Sequence, residues 1–126
     1  MNEAMKKILI VEDDKDFLWL LRMNFENNNF SVFYAQDGQE GLDLAQKEIP
    51  DLIISDIMLP KMDGITMAKT IKEKGIKSKI IFLTNLSNPK HIQEALEISE
   101  EADYIVKADV HIDSIVKRVK NKLGLE

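Results

Sequence analysis

Short apolar runs alternate with longer amphipathic ones along the whole chain. Lys7–Val11, Phe30–Ala35, Leu52–Asp56, Lys79–Thr84 and Asp103–Lys107 are brief, rich in β-branched and aromatic residues, and bounded by polar or turn-forming residues. They read as buried strands. Between them, apolar residues recur at helical spacing. Lys15–Glu26 carries Phe17, Leu20, Leu21 and Phe25 on one face, with Leu18 and Trp19 interrupting its polar side and Asn27-Asn28-Asn29 as its stop. Asp37-Gly38-Gln39-Glu40 is a capping-box pattern that opens a second helix to about Glu48. A third spans Ile65–Lys74 and stops at Gly75. Pro89 suits the first turn of a fourth, running to about Ile98. The last covers Ile112–Leu123, with Ile112, Ile115, Val116, Val119 and Leu123 in register and Gly124 after it.

Strands alternating with helices predict an α/β fold, a five-stranded parallel sheet with helices on both faces. No repeat, linker or low-complexity tract divides the 126 residues, so one domain over 1–126 with no further output domain is expected. At 44% hydrophobic the chain can bury roughly two thirds of its unfolded surface. Its formal charge of −5 argues against direct nucleic-acid binding, which normally calls for a basic face. The basic residues Lys117, Arg118, Lys120 and Lys122 are read as complementing a helix carboxyl end. With no cysteine, disulfides, zinc–thiolate sites and thiol catalysis are excluded. No apolar stretch approaches the roughly 18 residues of a membrane span, and Met1–Lys7 leads into a strand and not a signal-peptide core. A cytoplasmic protein without a membrane partner is the expectation. His91 and His111 share no metal-ligand spacing and read as surface residues.

The chemistry concentrates at two strand ends. Asp56 closes one apolar run, and Glu12-Asp13-Asp14 closes another. In an open α/β sheet the carboxyl ends of the strands form the ligand-binding edge. Carboxylates converging there cannot all stay ionised without a cation. A hard divalent metal held by oxygen ligands is the inference, with one carboxylate left to do chemistry.

Pro60 and Gly64 follow Asp56, Thr84 ends the fourth strand, Tyr104 lies in the fifth and Lys107 ends it. Taken in order with Glu12-Asp13, these residues make the chain resemble a response-regulator receiver domain of two-component signalling over essentially its whole length. The resemblance implies the flavodoxin-like strand order 2-1-3-4-5 and Mg²⁺ as cofactor. It also implies phosphoryl transfer from a sensor histidine kinase, or a histidine phosphotransfer protein, onto Asp56. Glu12, Asp13, Asp56 and the backbone carbonyl of Met58 would hold the metal, while Lys107 and the Thr84 hydroxyl would meet phosphoryl oxygens. Asp14 falls one residue beyond the family pair and is assigned to the cap of the first helix. Tyr104 sits at the offset of the family's rotating aromatic, and is read either as that switch, with Thr84, or as half-buried packing. Such a domain signals and is no enzyme beyond its own phosphorylation and dephosphorylation. It changes its surface for a downstream protein, and a phosphorylation-dependent homodimer is compatible with it.

Three positions depart from the family pattern. Ala108 replaces the proline that usually follows the lysine in a cis peptide, and a non-proline cis bond costs about 2.5–4 kcal/mol. Asn85 is larger than the usual residue after the threonine. Glu101-Ala102 stands where Gly-Ala is frequent. The resemblance implies that Met58 and Leu86 flank the path of the hydrolytic water, which neither side chain can orient, and this predicts slow self-dephosphorylation. A flavin-binding flavodoxin would not tolerate three acids where it cradles a phosphate. A haloacid-dehalogenase-type phosphatase needs Asp-x-Asp where this chain has Glu12-x-Asp14, and the P-loop motif is absent. The remaining alternative is an interaction module that keeps the fold and signals without phosphorylation.

Overall fold

The computed structural model describes residues 5–85, 89–97 and 103–125. Leu86, Glu101 and Ala102 fall outside these, as does the side chain of His91. Five strands, β1 (Lys7–Val11), β2 (Ser31–Ala35), β3 (Leu52–Asp56), β4 (Lys79–Thr84) and β5 (Asp103–Val106), alternate with α1 (Lys15–Asn27), α2 (Gly38–Glu48), α3 (Gly64–Glu73), α4 (Pro89–Leu96) and α5 (Ile112–Lys122). All ladders are parallel, and the strand order is β2-β1-β3-β4-β5. The sequence boundaries hold to within a residue or two, the usual scatter at fraying ends. Lys107 is the one candidate site residue moved by this. It opens a single 3-10 turn, Lys107–Asp109, and does not close β5.

Side chains alternate across each strand, so the sheet feeds two cores. Ile8, Ile10, Leu52, Ile54, Ile81 and Leu83 pack under Leu18, Leu21 and Phe25 of α1 and Ile115, Val116 and Val119 of α5. Leu9, Val11, Ile53, Ile80 and Phe82 meet the helices of the opposite face, including Leu42, Ala45, Met67, Ala68 and Ile71. Both faces are covered, which is why the strands read as nearly continuous apolar runs.

The phase of α1 corrects the sequence expectation. Leu18, Leu21 and Phe25 are buried, Phe17 is half-buried, and Leu20 turns outward beside Trp19, at 41% and 56% exposed. Residues 17 to 21 are all apolar, so spacing alone could not fix the rotation. Docking on the sheet fixed it.

The cap predictions stand, with one change of partner. Asp14 Oδ1 accepts from the backbone N–H of Asp16 and Phe17 at 3.0 and 3.3 Å. Asp37 Oδ1 accepts from Glu40 N–H at 2.7 Å, while Glu40 reaches back to the N–H of Gln36, one residue before the cap. No peptide bond among the described residues is cis, so Lys107–Ala108 is trans.

Candidate functional site

The strand register assembles the site. β1 and β3 are neighbours with Val11 opposite Ser55, so Glu12 and Asp56 leave adjacent strands at the same level. The chain order reverses here, between β1's two neighbours, which is where open α/β sheets form a crevice. Asp56 pairs with Leu83 and Thr84 with Val106, so Thr84 and Lys107 arrive at the same edge from the far side.

Each carboxylate is then held differently. Asp56 is 7% exposed. Its Oδ1 accepts from the N–H of Ile57 at 2.7 Å and of Met58 at 3.3 Å, and its Oδ2 accepts from Lys107 Nζ at 2.8 Å. The loop beyond folds straight back, with Gly64 N–H donating to Ile57 O. A Cβ at Gly64 would lie 2.0 Å from the Asp56 carbonyl oxygen, so only glycine admits this close return. Glu12 is buried. Its Oε2 accepts from Asp14 N–H at 3.0 Å, and its Oε1 lies 2.5 Å from Lys107 Nζ. That approach is a close ion pair between the carboxylate and the ammonium. Asp13 is exposed at the mouth.

The electrostatics follow from this packing. Burial pushes the Glu12 carboxyl above its ordinary value, only partly opposed by the Lys107 ammonium and the Asp14 N–H. Burial also works to lower the pKa of Lys107, but its bonds to Asp56 and Glu12 outweigh that and raise it. Oxygens of Glu12, Asp13 and Asp56 lie within 4.8 Å of one another. Three formal negative charges against one ammonium leave two uncompensated. Three clustered carboxylates with a deficit of two positive charges fit a divalent, oxygen-seeking cation.

The structure thus brings together Glu12, Asp13, Asp56 and Lys107, with Thr84 buried at the same edge. Met58 lies in the loop after Asp56 with its side chain 58% exposed. Tyr104 stands opposite Phe82 in β5, half-buried against the α2–α3 side of the core. One neighbour escaped the sequence reading: the Phe17 ring, whose centroid lies 4.8 Å from Lys107 Nζ. Phe17 looked like a core residue of α1, and no local pattern shows which charge a core-facing ring meets.

Residues 8–120 match the response regulator receiver domain. The chain belongs to that family. It is 38% identical, over 81% of its length and 42% of the relative's, to the alkaline phosphatase synthesis transcriptional regulatory protein PhoP of Bacillus subtilis. It is 32% identical to the transcriptional regulatory protein DltR of Streptococcus agalactiae, over 90% of this chain and 50% of that one. The chain therefore spans about half the length of the curated relatives it matches. Among solved structures, the Francisella response regulator 1452 receiver domain superposes with a TM-score of 0.85 at 30% identity, covering 94% of this chain and 97% of that one. The chemotaxis response regulator CheY4 of Vibrio cholerae gives 0.85 at 26% identity, covering 94% and 99%. The receiver fold is thus supported by the strand order and by independent structures. No helix among the described residues is long and apolar enough to cross a membrane.

Proposed function

We propose that this receiver is a phosphorylation-driven switch that accepts a phosphoryl group on Asp56 from a phosphohistidine of a sensor kinase or phosphotransfer protein. The observation that carries the reading is the Lys107 ammonium, 2.8 Å from Asp56 Oδ2, beside a three-carboxylate cluster short of two positive charges. A carboxylate oxygen of Asp56 attacks phosphorus. The new O–P bond forms as the P–N bond to the donor imidazole breaks, and the imidazole leaves with the bonding pair. The product is an acyl phosphate on Asp56.

Charge on the transferring oxygens grows and spreads, so positioning and neutralisation supply most of the catalysis. Lys107 gives a positive charge already in place. The Thr84 hydroxyl, at the end of β4, would donate to a phosphoryl oxygen. Glu12, Asp13, Asp56 and the Met58 carbonyl would hold Mg²⁺, which when bound offsets the carboxylates and the incoming phosphoryl charge. The Met58 side chain offers no strong hydrogen-bonding group to orient a hydrolytic water, which favours a slow loss of the phosphoryl group.

Tyr104 would relay the change at Thr84 to the surface around β5. The exposed pair Trp19 and Leu20 on α1 would meet the phosphodonor protein. Both curated relatives are named as transcriptional regulatory proteins. We read the target of this chain's −5 receiver as a protein surface, through which such an output would be reached in the cytoplasm.

Acetyl phosphate in Mg²⁺ should add one phosphoryl group to the intact mass of the wild type. The adduct should be absent without Mg²⁺ and in Asp56→Asn. A module that signals without phosphorylation would gain no mass in any condition.

A further inference from the structure

We propose that Phe17 is a positioning residue of the phosphoacceptor site, its ring face holding the Lys107 ammonium against Asp56 and Glu12. The inference rests on the reading of Asp56 as the phosphoacceptor, and it assigns a role at that site to a side chain of α1.

The ammonium sits 4.8 Å from the Phe17 ring centroid, inside the roughly 6 Å at which a ring quadrupole attracts a cation. Only 10% of the Lys107 side chain is exposed, so water does little to screen the attraction. The two carboxylates hold the ammonium on one side, at 2.8 Å from Asp56 and 2.5 Å from Glu12, and the ring supplies another.

The need for such a contact follows from the lysine itself. Its flexible stem loses considerable rotamer freedom when the head is fixed. It opens a short 3-10 turn in which Ala108 follows it, so no proline ring stiffens the backbone there. Placement of the charge is left to what the side chain touches.

The ring is in turn fixed by the acidic loop it serves. Phe17 N–H and Asp14 Oδ1 are bonded at 3.3 Å, Asp14 N–H donates to Glu12 Oε2 at 3.0 Å, and Glu12 Oε1 meets Lys107. Glu12, Asp14, Phe17 and Lys107 thereby form a closed circuit of contacts. A shift of the helix start would move ring and carboxylate together.

A ring face also suits what the ammonium must do. Carboxylate bonds are directional, whereas attraction to a π face tolerates sliding across it. Lys107 can turn from Asp56 Oδ2 toward an arriving phosphoryl oxygen and keep its aromatic support.

The test replaces Phe17 with a series of progressively fluorinated phenylalanines, which retain shape while draining the ring's negative face, together with Phe17→Leu and Phe17→Tyr. The rate of acetyl phosphate labelling in Mg²⁺ should fall stepwise along the series. Phe17→Leu should be about 2- to 30-fold slower than wild type, and Phe17→Tyr should react at close to the wild-type rate. Melting temperatures across the fluorinated series should stay level, which separates positioning from packing. Equal rates throughout, or rates that fall only where melting temperature falls, would overturn the inference. A second readout needs no phosphorylation. The ε-methylene protons of Lys107 should show an upfield ring-current shift by NMR in the wild type and lose it in Phe17→Leu. An unshifted wild-type resonance would refute the contact. A wild type that shows the shift but takes no phosphoryl group would instead sink the reading of Asp56.

Discussion

Glu12 is a buried carboxylate whose charge the fold must accommodate. It is 1% exposed, and its Oε1 is ion-paired with Lys107. Burial raises its native pKa above the ordinary 4.5, so the native state holds the proton more tightly than the unfolded chain. By linkage, the contribution of Glu12 to the stability of the metal-free protein falls as pH rises from 4.5 through that raised value. Glu12→Gln keeps the shape and removes the charge. Without Mg²⁺ it should melt higher than wild type at pH 7, and the gap should close as pH falls toward 4.5, measured by thermal denaturation across pH. An unchanged gap at every pH would mean that burial of charge is not the cost. Asp13 is the opposite case. It is exposed, so Asp13→Ala should change stability by no more than about 0.5 kcal/mol while abolishing Mg²⁺-dependent labelling. A full Mg²⁺ response in that variant would remove Asp13 from the metal site. That Asp56, Glu12, Asp13 and Lys107 would meet was legible in the sequence because each stands at or just past a strand end. Phe17 was not, because what a ring touches across the sheet edge is set by register and packing, not by neighbours in the chain.

At the scale of elements, α1 and the end of α2 give the sharpest tests. Leu18 fills the core while Leu20, two residues on, faces solvent. Leu18→Ala should cost about 2–5 kcal/mol, and Leu20→Ala no more than about 0.5 kcal/mol, read by denaturant melts. Similar costs for both would put the helix in the phase that the sequence pattern suggested. Ile49 ends α2 in the left-handed region with φ 46°, a strained choice for a β-branched side chain, and it is 56% exposed. Ile49→Asn should stabilise by up to about 1 kcal/mol, by relieving a conformation that costs roughly 1–2 kcal/mol. A lower melting temperature would show that the exposed Ile49 side chain contributes more than its backbone costs. Helix starts were legible because Asp14 and Asp37 carry their own hydrogen-bonding chemistry. The rotation of α1 was not, because five consecutive apolar residues leave a helix without a unique buried face.

For the whole molecule, the strand order decides everything else. Placing β1 between β2 and β3 sets Glu12 beside Asp56, and placing β4 and β5 beyond β3 delivers Thr84 and Lys107 to the same edge. Alternating strand and helix patterns predict a parallel sheet, but many orders satisfy them, and the order here was expected from family resemblance and not from periodicity. Once that order exists, four strand ends from distant parts of the chain converge, and their charges make sense only together. The central claim is that this convergence makes Asp56 the phosphoacceptor. The most direct measurement is to label the protein with acetyl phosphate in Mg²⁺, reduce the acyl phosphate with borohydride to mark the carboxyl that carried it, and locate the mark by peptide mass spectrometry. The account predicts a single marked carboxyl, that of Asp56. A mark on Glu12, Asp13 or any other acid, with Asp56 unmodified, would contradict it.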